Sequence, residues 1–251
     1  CLALFYALYC NYYIGFMLCL FSCLYFLVQW VSARKVEGKR VLDSCLTFGW
    51  YSLLAGGMAA IILLPAFVGL GTTESAQNSF PSPLKFYVEN LSQLTSHFAF
   101  VEPINIADDQ IGVNAFCGTV TMILGCLYAL DKRRSIRERA SKLLLIGFLY
   151  ASFDINVLNF IWHGFHVQNG LPNRFAFIYI AMLLSVGFDV MTDLRRLSWE
   201  RVAVACVPPM GFAVYSAWTG LGEREPYVYT AVIVLLAVYS VLLLLYRSGK
   251  K

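Results

Sequence analysis

Apolar runs long enough to cross a bilayer recur along the whole chain, near residues 13–31, 43–69, 111–130, 143–163, 175–191, 202–219 and 227–246. A hydrocarbon core of about 30 Å takes roughly 20 apolar residues per helix. Continuous runs of this kind are unlike the alternating pattern of membrane β-strands. The sequence therefore predicts an all-α fold, a polytopic transmembrane helix bundle of about seven spanning helices covering 1–251. Composition agrees, with 59% hydrophobic and only 14% charged residues, against roughly 25% charged in soluble domains. So little charge could not cover a compact core with a polar surface, which excludes a soluble globular domain, a disordered chain and a nucleic-acid-binding module. Residues 2–10 are also apolar, but Asn11-Tyr12-Tyr13 interrupts them. They are expected to be the tail of an earlier helix or an interfacial segment, with Asn11 a candidate cap for the first span.

Basic residues set the expected orientation, because short cytoplasmic loops retain Lys and Arg. Arg34, Lys35, Lys39 and Arg40 follow the first span, and six basic residues between Lys132 and Lys142 follow the third. Arg195, Arg196 and Arg201 follow the fifth, and Arg247, Lys250 and Lys251 the seventh. Of the 19 basic residues, only Lys85, Arg174 and Arg224 fall in the alternate loops. The N-terminus is expected outside and the C-terminus in the cytoplasm, with Asp43 and Asp189 placed to pair with loop arginines. Gly56-Gly57 with Pro65, and Pro208-Pro209, predict packing kinks in the second and sixth spans. The eight cysteines sit mostly inside apolar runs and act there as small hydrophobes, not as a metal site or disulfide framework.

The loop 71–110 is expected to be extracytoplasmic. Ser82-Pro83 is a plausible helix start, and Leu84, Val88, Leu91, Thr95 and Phe98 follow at helical spacing. That pattern predicts an amphipathic interfacial helix lying on the outer leaflet. Glu102 with Asp108-Asp109 could hold a hard cation but reads more simply as a solvated loop end.

The chemistry-bearing residues concentrate between 152 and 174. Ser152, Asn156, Asn159, His163 and His166 step by four and three, so on one helix they would form a polar stripe. Asp154 lies twelve residues past Lys142, about 18 Å along a helix, where an ionisable group faces the bundle interior or a wet cavity. The asparagines could equally be interhelical glue, and Asp154 could pair with a polar group on another helix. Arg174 sits where the fifth span begins, with Pro172 suited to that helix's first turn. A helix start and a planar guanidinium together favour an anion, above all phosphate. The alternative is an arginine snorkelling to lipid headgroups. For Tyr12 and Tyr13, ordinary aromatic-belt positions are the expectation.

Three stretches carry a family resemblance: Asn11-Tyr12-Tyr13-Ile14-Gly15-Phe16-Met17-Leu18, then Leu63-Leu64-Pro65, and most specifically Trp162-His163-Gly164-Phe165-His166 with Asn169-Gly170-Leu171-Pro172-Asn173-Arg174-Phe175. Together they resemble the bacterial YfhO family of multi-pass membrane proteins. The resemblance implies a GT-C-type glycosyltransferase in the bacterial cell membrane. Its donor would be a polyprenyl-phosphate-linked sugar, and its acceptor an extracytoplasmic cell-envelope polymer such as lipoteichoic acid. It also implies that the chain is an internal fragment, inactive alone, because such enzymes carry their catalytic acid in an outer loop between their first two helices. No catalytic residue is therefore assigned within this sequence. Arg174, His163 and His166 would bind the donor phosphate, with Asn159, Asn169 and Asn156 lining the cavity. No cofactor is expected, and a divalent metal stays open. The rival readings are a transporter or flippase of lipid-linked sugars, or a seven-helix receptor.

Overall fold

A computed structural model describes residues 1–33, 38–73, 80–86, 90–98, 113–167 and 173–248. In chain order the helices are α1 (Leu2–Cys10), α2 (Tyr12–Ser32), α3 (Gly38–Met58), α4 (Ala60–Leu70), α5 (Asn90–Gln93), α6 (Val120–Leu130), α7 (Ile136–Asp154), α8 (Asn156–Trp162), α9 (Ala176–Met191), α10 (Trp199–Thr219) and α11 (Pro226–Ser248). Among the described residues the only β feature is a single bridge, Phe86 to Ile155.

All seven apolar runs contain helix, but not as seven equal rods. Among the described residues three helices, α2, α10 and α11, are long and apolar enough to cross a bilayer, and α3 with α4 form a fourth candidate bent by 75°. The bend falls at Ala59, two residues after Gly56-Gly57, and Pro65 removes a donor from the first turns of α4. Two weak helix formers just before the bend, with a proline six residues after it, are a sufficient cause for the kink. In contrast, Pro208 and Pro209 lie inside α10 without dividing it. The shorter α6 and α9 have 11 and 16 residues, and residues 113–119 before α6 are not helical. Side chains such as Leu53, Phe67, Phe188 and Trp218 are exposed on the outside of the bundle, where only lipid would solvate them.

Two cores meet at α9. Its lower half gives Val186 and Val190 to a cluster with Ile123, Leu127 and Tyr128 of α6, Val202 of α10 and Val232 of α11. Its first turns give Ile178, Tyr179 and Met182 to a second cluster with Met17 of α2 and Leu145 and Leu149 of α7. α1 packs on α2, and Gly15 is what allows the approach. A Cβ there would meet the Cα of Leu8 at 2.8 Å.

The basic segments after α6, α9 and α11 gather at one face of the bundle. Ser135 caps α7 by accepting from the Glu138 N–H at 3.1 Å, a capping-box spacing. Asp131, fully buried, receives Arg133 at 2.8 Å; Arg134 reaches Glu138 at 2.9 Å, and Lys142 reaches Asp189 at 2.7 Å. Asp189 thus pairs as expected, tying α7 to α9, whereas Asp43 lies exposed on α3. Arg247 bonds the carbonyl of Leu197, which places the end of α11 on the same face.

The loop at the opposite face departs from expectation. Ser82-Pro83 does not start a helix: the described residues 80–86 are not helical, and among the described residues of this loop the helical turns lie over Asn90–Phe98. Thr95, Ser96, His97 and Phe98 are buried instead of lying along a surface. His97 bonds the hydroxyl of Tyr179 at 3.1 Å, and Phe98 enters the first core. The apolar spacing drives this segment into the bundle because Phe98 finds Phe212 and Tyr229 to pack against. Glu102, Asp108 and Asp109, and Val88 of the expected helix, lie outside the described residues.

Candidate functional site

The polar stripe is divided by a break in the fourth span. Ile155 is extended (φ −83°, ψ 115°), so α8 starts on a new phase after Asp154. The break is filled by the loop segment 83–86. Asn156 donates its backbone N–H to the Lys85 carbonyl at 3.1 Å, accepts the Lys85 N–H on Oδ1 at 3.0 Å, and donates Nδ2 to the Pro83 carbonyl at 3.0 Å. Asn156 is therefore committed to holding a strand-like segment and stands apart from the other expected site residues. Ser152 returns its hydroxyl to the Phe148 carbonyl. Asp154 is buried beside the break.

The Trp162-His163-Gly164-Phe165 run is a helix stop. The Phe165 N–H bonds the Phe160 carbonyl and the Gly164 N–H bonds the Ile161 carbonyl, the paired pattern of a Schellman motif. Gly164 has φ +72°, which a Cβ would oppose, and this is why glycine follows His163. Phe165 packs on Phe160 at 6.2 Å, as such motifs favour, but its own φ of +64° is strained for a bulky residue. It is nevertheless exposed, and it joins a row of rings running Phe16–Phe165–Phe160–Phe80 at 6.1, 6.2 and 5.7 Å.

Aromatic stacking places the turn before α9. Phe175 lies between Trp162 at 5.1 Å and Phe153 at 4.7 Å, both stacked. Asn173, buried with φ +51°, accepts the Asn159 amide at 2.6 Å. Asn159 therefore ties α8 to this turn. Arg174 is in the turn, two residues before α9 and not within its first turn; Pro172 and Asn169 lie outside the described residues.

Three of the expected residues do converge, on a fourth that was assigned only a belt role. Tyr13 has the Arg174 guanidinium carbon 5.2 Å from its ring centre, with the His166 and His163 rings at 5.7 and 6.4 Å. Asn11 fixes Tyr13 in place by accepting the N–H groups of Tyr13 and Ile14, each at 3.1 Å. The signal for Tyr13 was present in its position two residues after a helix cap, yet only tertiary contact distinguishes it from Tyr12.

The histidines are not equivalent. His163 is fully buried, and its Nδ1 lies 2.8 Å from the Asn159 carbonyl. A carbonyl only accepts, so Nδ1 carries the proton and neutral Nε2 is an acceptor. That Nε2 is buried and has no hydrogen-bond partner among the described residues. His166, in the following turn, is held below the usual histidine pKa by burial and by Arg174, against a raising bond at Gly164. The arrangement offers a guanidinium for an anion, a buried acceptor for a hydroxyl, and an apolar ring row alongside.

The profile of the family described as bacterial membrane protein YfhO matches residues 1–250. No curated protein and no solved structure matches the chain.

Proposed function

The chain belongs to the YfhO family of bacterial membrane proteins, and from that premise we propose that it forms part of a membrane glycosyltransferase. Its donor is a sugar on a polyprenyl phosphate, and its acceptor a cell-envelope polymer such as lipoteichoic acid. The reading rests on one observation: Arg174, His163 and His166 converge on Tyr13 at the bundle face away from the basic loops. By the positive-inside rule that face is extracytoplasmic, with the N-terminus outside and the C-terminus in the cytoplasm.

Transfer is displacement at the sugar's anomeric carbon, with the lipid phosphate leaving. Arg174 supplies a fixed positive charge where negative charge grows on that phosphate, and His166 stands beside it. The neutral Nε2 of His163 accepts a hydroxyl of the sugar, not a phosphate oxygen. The aromatic row ending at Phe80 gives the polyprenyl tail an apolar track. Asn159 acts indirectly by fixing both His163 and the Asn173 turn. A transporter needs an open polar path at its helix breaks; at Ile155 the freed groups are taken by the 83–86 segment, which favours the transferase.

The test is Arg174→Ala in the full-length protein, read by sugar transfer in membranes. Transfer is abolished while membrane insertion and amount are unchanged. Undiminished transfer refutes the phosphate assignment.

A further inference from the structure

On the face that carries the basic loops, α2 and α7 leave a groove of about 500 Å³ between them. Its walls are Leu24, Leu27 and Val31 from α2 and Ala140, Leu144 and Phe148 from α7, with Arg137 at the mouth. Ser141, which also lines the groove, is hydrogen-bonded at 2.9 Å to Ser32 and so ties α7 to α2. From Ile136 to Phe148 the groove follows twelve residue steps, about 18 Å along a helix. Half of a hydrocarbon core is about 15 Å, so the groove has the length of one leaflet and opens at a charged end.

Most of the basic side chains lining that end are already bonded. Arg133 is bound to Asp131, Arg134 to Glu138, Lys142 to Asp189, and Arg139 to the Ala129 carbonyl. Arg137 is exposed and makes no ion pair among the described residues. A cation left uncompensated at the mouth of an apolar, leaflet-length groove complements one kind of molecule in that leaflet.

We infer that the α2–α7 groove is a binding site for an anionic diacyl phospholipid, with an acyl chain along Leu27 and Leu144 and the headgroup phosphate on Arg137. Basic pockets between helices at the cytoplasmic surface recognise anionic headgroups by this combination. The site lies on the face opposite Tyr13 and does not depend on the transferase reading.

The test is native mass spectrometry of the delipidated full-length protein, with phosphatidylglycerol and phosphatidylcholine of equal chain length as probes. Wild type retains one phosphatidylglycerol about fivefold more tightly than phosphatidylcholine, the effect of one arginine near an anionic headgroup. Arg137→Gln brings the two lipids to parity and Arg137→Lys restores the preference. Ala140→Trp, on an exposed position of the wall, fills the groove and weakens both lipids alike. Lys132→Gln, exposed on the same loop but outside the groove, leaves the preference intact. Equal retention of the two lipids by wild type overturns the site, as does an undiminished preference in Arg137→Gln. An equal loss in Lys132→Gln also overturns it, in favour of diffuse surface charge. A dimer that Ala140→Trp abolishes assigns the groove to a second copy instead.

Discussion

Replacing Asn156 by alanine removes the side chain that holds the 83–86 segment in the break of the fourth span. Two hydrogen bonds to that segment are lost, from Lys85 N–H to Oδ1 and from Nδ2 to the Pro83 carbonyl. The backbone bond from Asn156 N–H to the Lys85 carbonyl survives. Each lost bond contributes a net of about 0.5–1.5 kcal/mol, so two contribute about 1–3 kcal/mol. Lys85 and Pro83 are exposed, and solvent can replace part of each bond, which selects the lower part of that range. Opening of the segment should therefore become easier by about 1–2 kcal/mol, or about 5- to 30-fold. Hydrogen–deuterium exchange resolved at the Lys85 amide measures this directly, since its protection falls by the same factor. Asn159→Ala is the internal control, because its bonds go to Phe153 and Asn173 and protection at Lys85 should not change. Equal exchange at Lys85 in wild type and Asn156→Ala would show that the bridge at Ile155, not the asparagine, holds the segment, and the reasoning fails.

At the candidate site, Tyr13→Leu removes the ring under Arg174, a contact of about 0.5–2 kcal/mol. Binding of a short-chain polyprenyl phosphate should weaken about 2- to 30-fold, while Tyr13→Phe keeps most of it; equal affinity in the leucine variant counts against Tyr13 as the hub. His166 titrates below its usual value because burial and Arg174 disfavour the cation, despite the bond at Gly164. Its stabilising contribution is complete above about pH 6.5 and is lost as pH falls toward the depressed value. The melting temperature in detergent should drop between pH 7.5 and 5, and His166→Gln should flatten that drop; an identical slope in both proteins refutes the assignment. On the basic face, burial would raise the Asp131 carboxyl, but its bonds from Arg133 and the charge of Arg134 hold it below the usual range. That contribution is present above about pH 3.9 and disappears on further acidification. Asp131→Asn should lower the melting temperature at pH 7 and narrow its gap to wild type as pH falls below 4, and a gap constant with pH would exclude the ion pair as its source.

Local chemistry settled a large part of this protein before any contact was known. Apolar runs allow only helices in a bilayer, because every backbone group must be bonded within its own segment. Asp189 was likewise placed by sequence to pair with a loop arginine, and it meets Arg134 at 3.8 Å. Asn11 as a cap was visible because capping is decided within four residues. The stripe from Ser152 to His166 was not legible, since its helical phase assumed an unbroken helix. The break at Ile155 depends on backbone partners from Pro83 and Lys85, about 70 positions away in sequence. For the same reason the 90–98 turns could not be told from a surface helix: their spacing is the same whether the apolar side meets lipid or Phe212. Arg174, His163 and His166 were identifiable by residue type, but their meeting on Tyr13 required α2, the end of α8 and the turn before α9 to be packed together. Sequence decides what each segment can be in a membrane because that solvent acts residue by residue. Which side chains share a site is fixed only when the helices dock, because contact between distant segments leaves no periodicity to read.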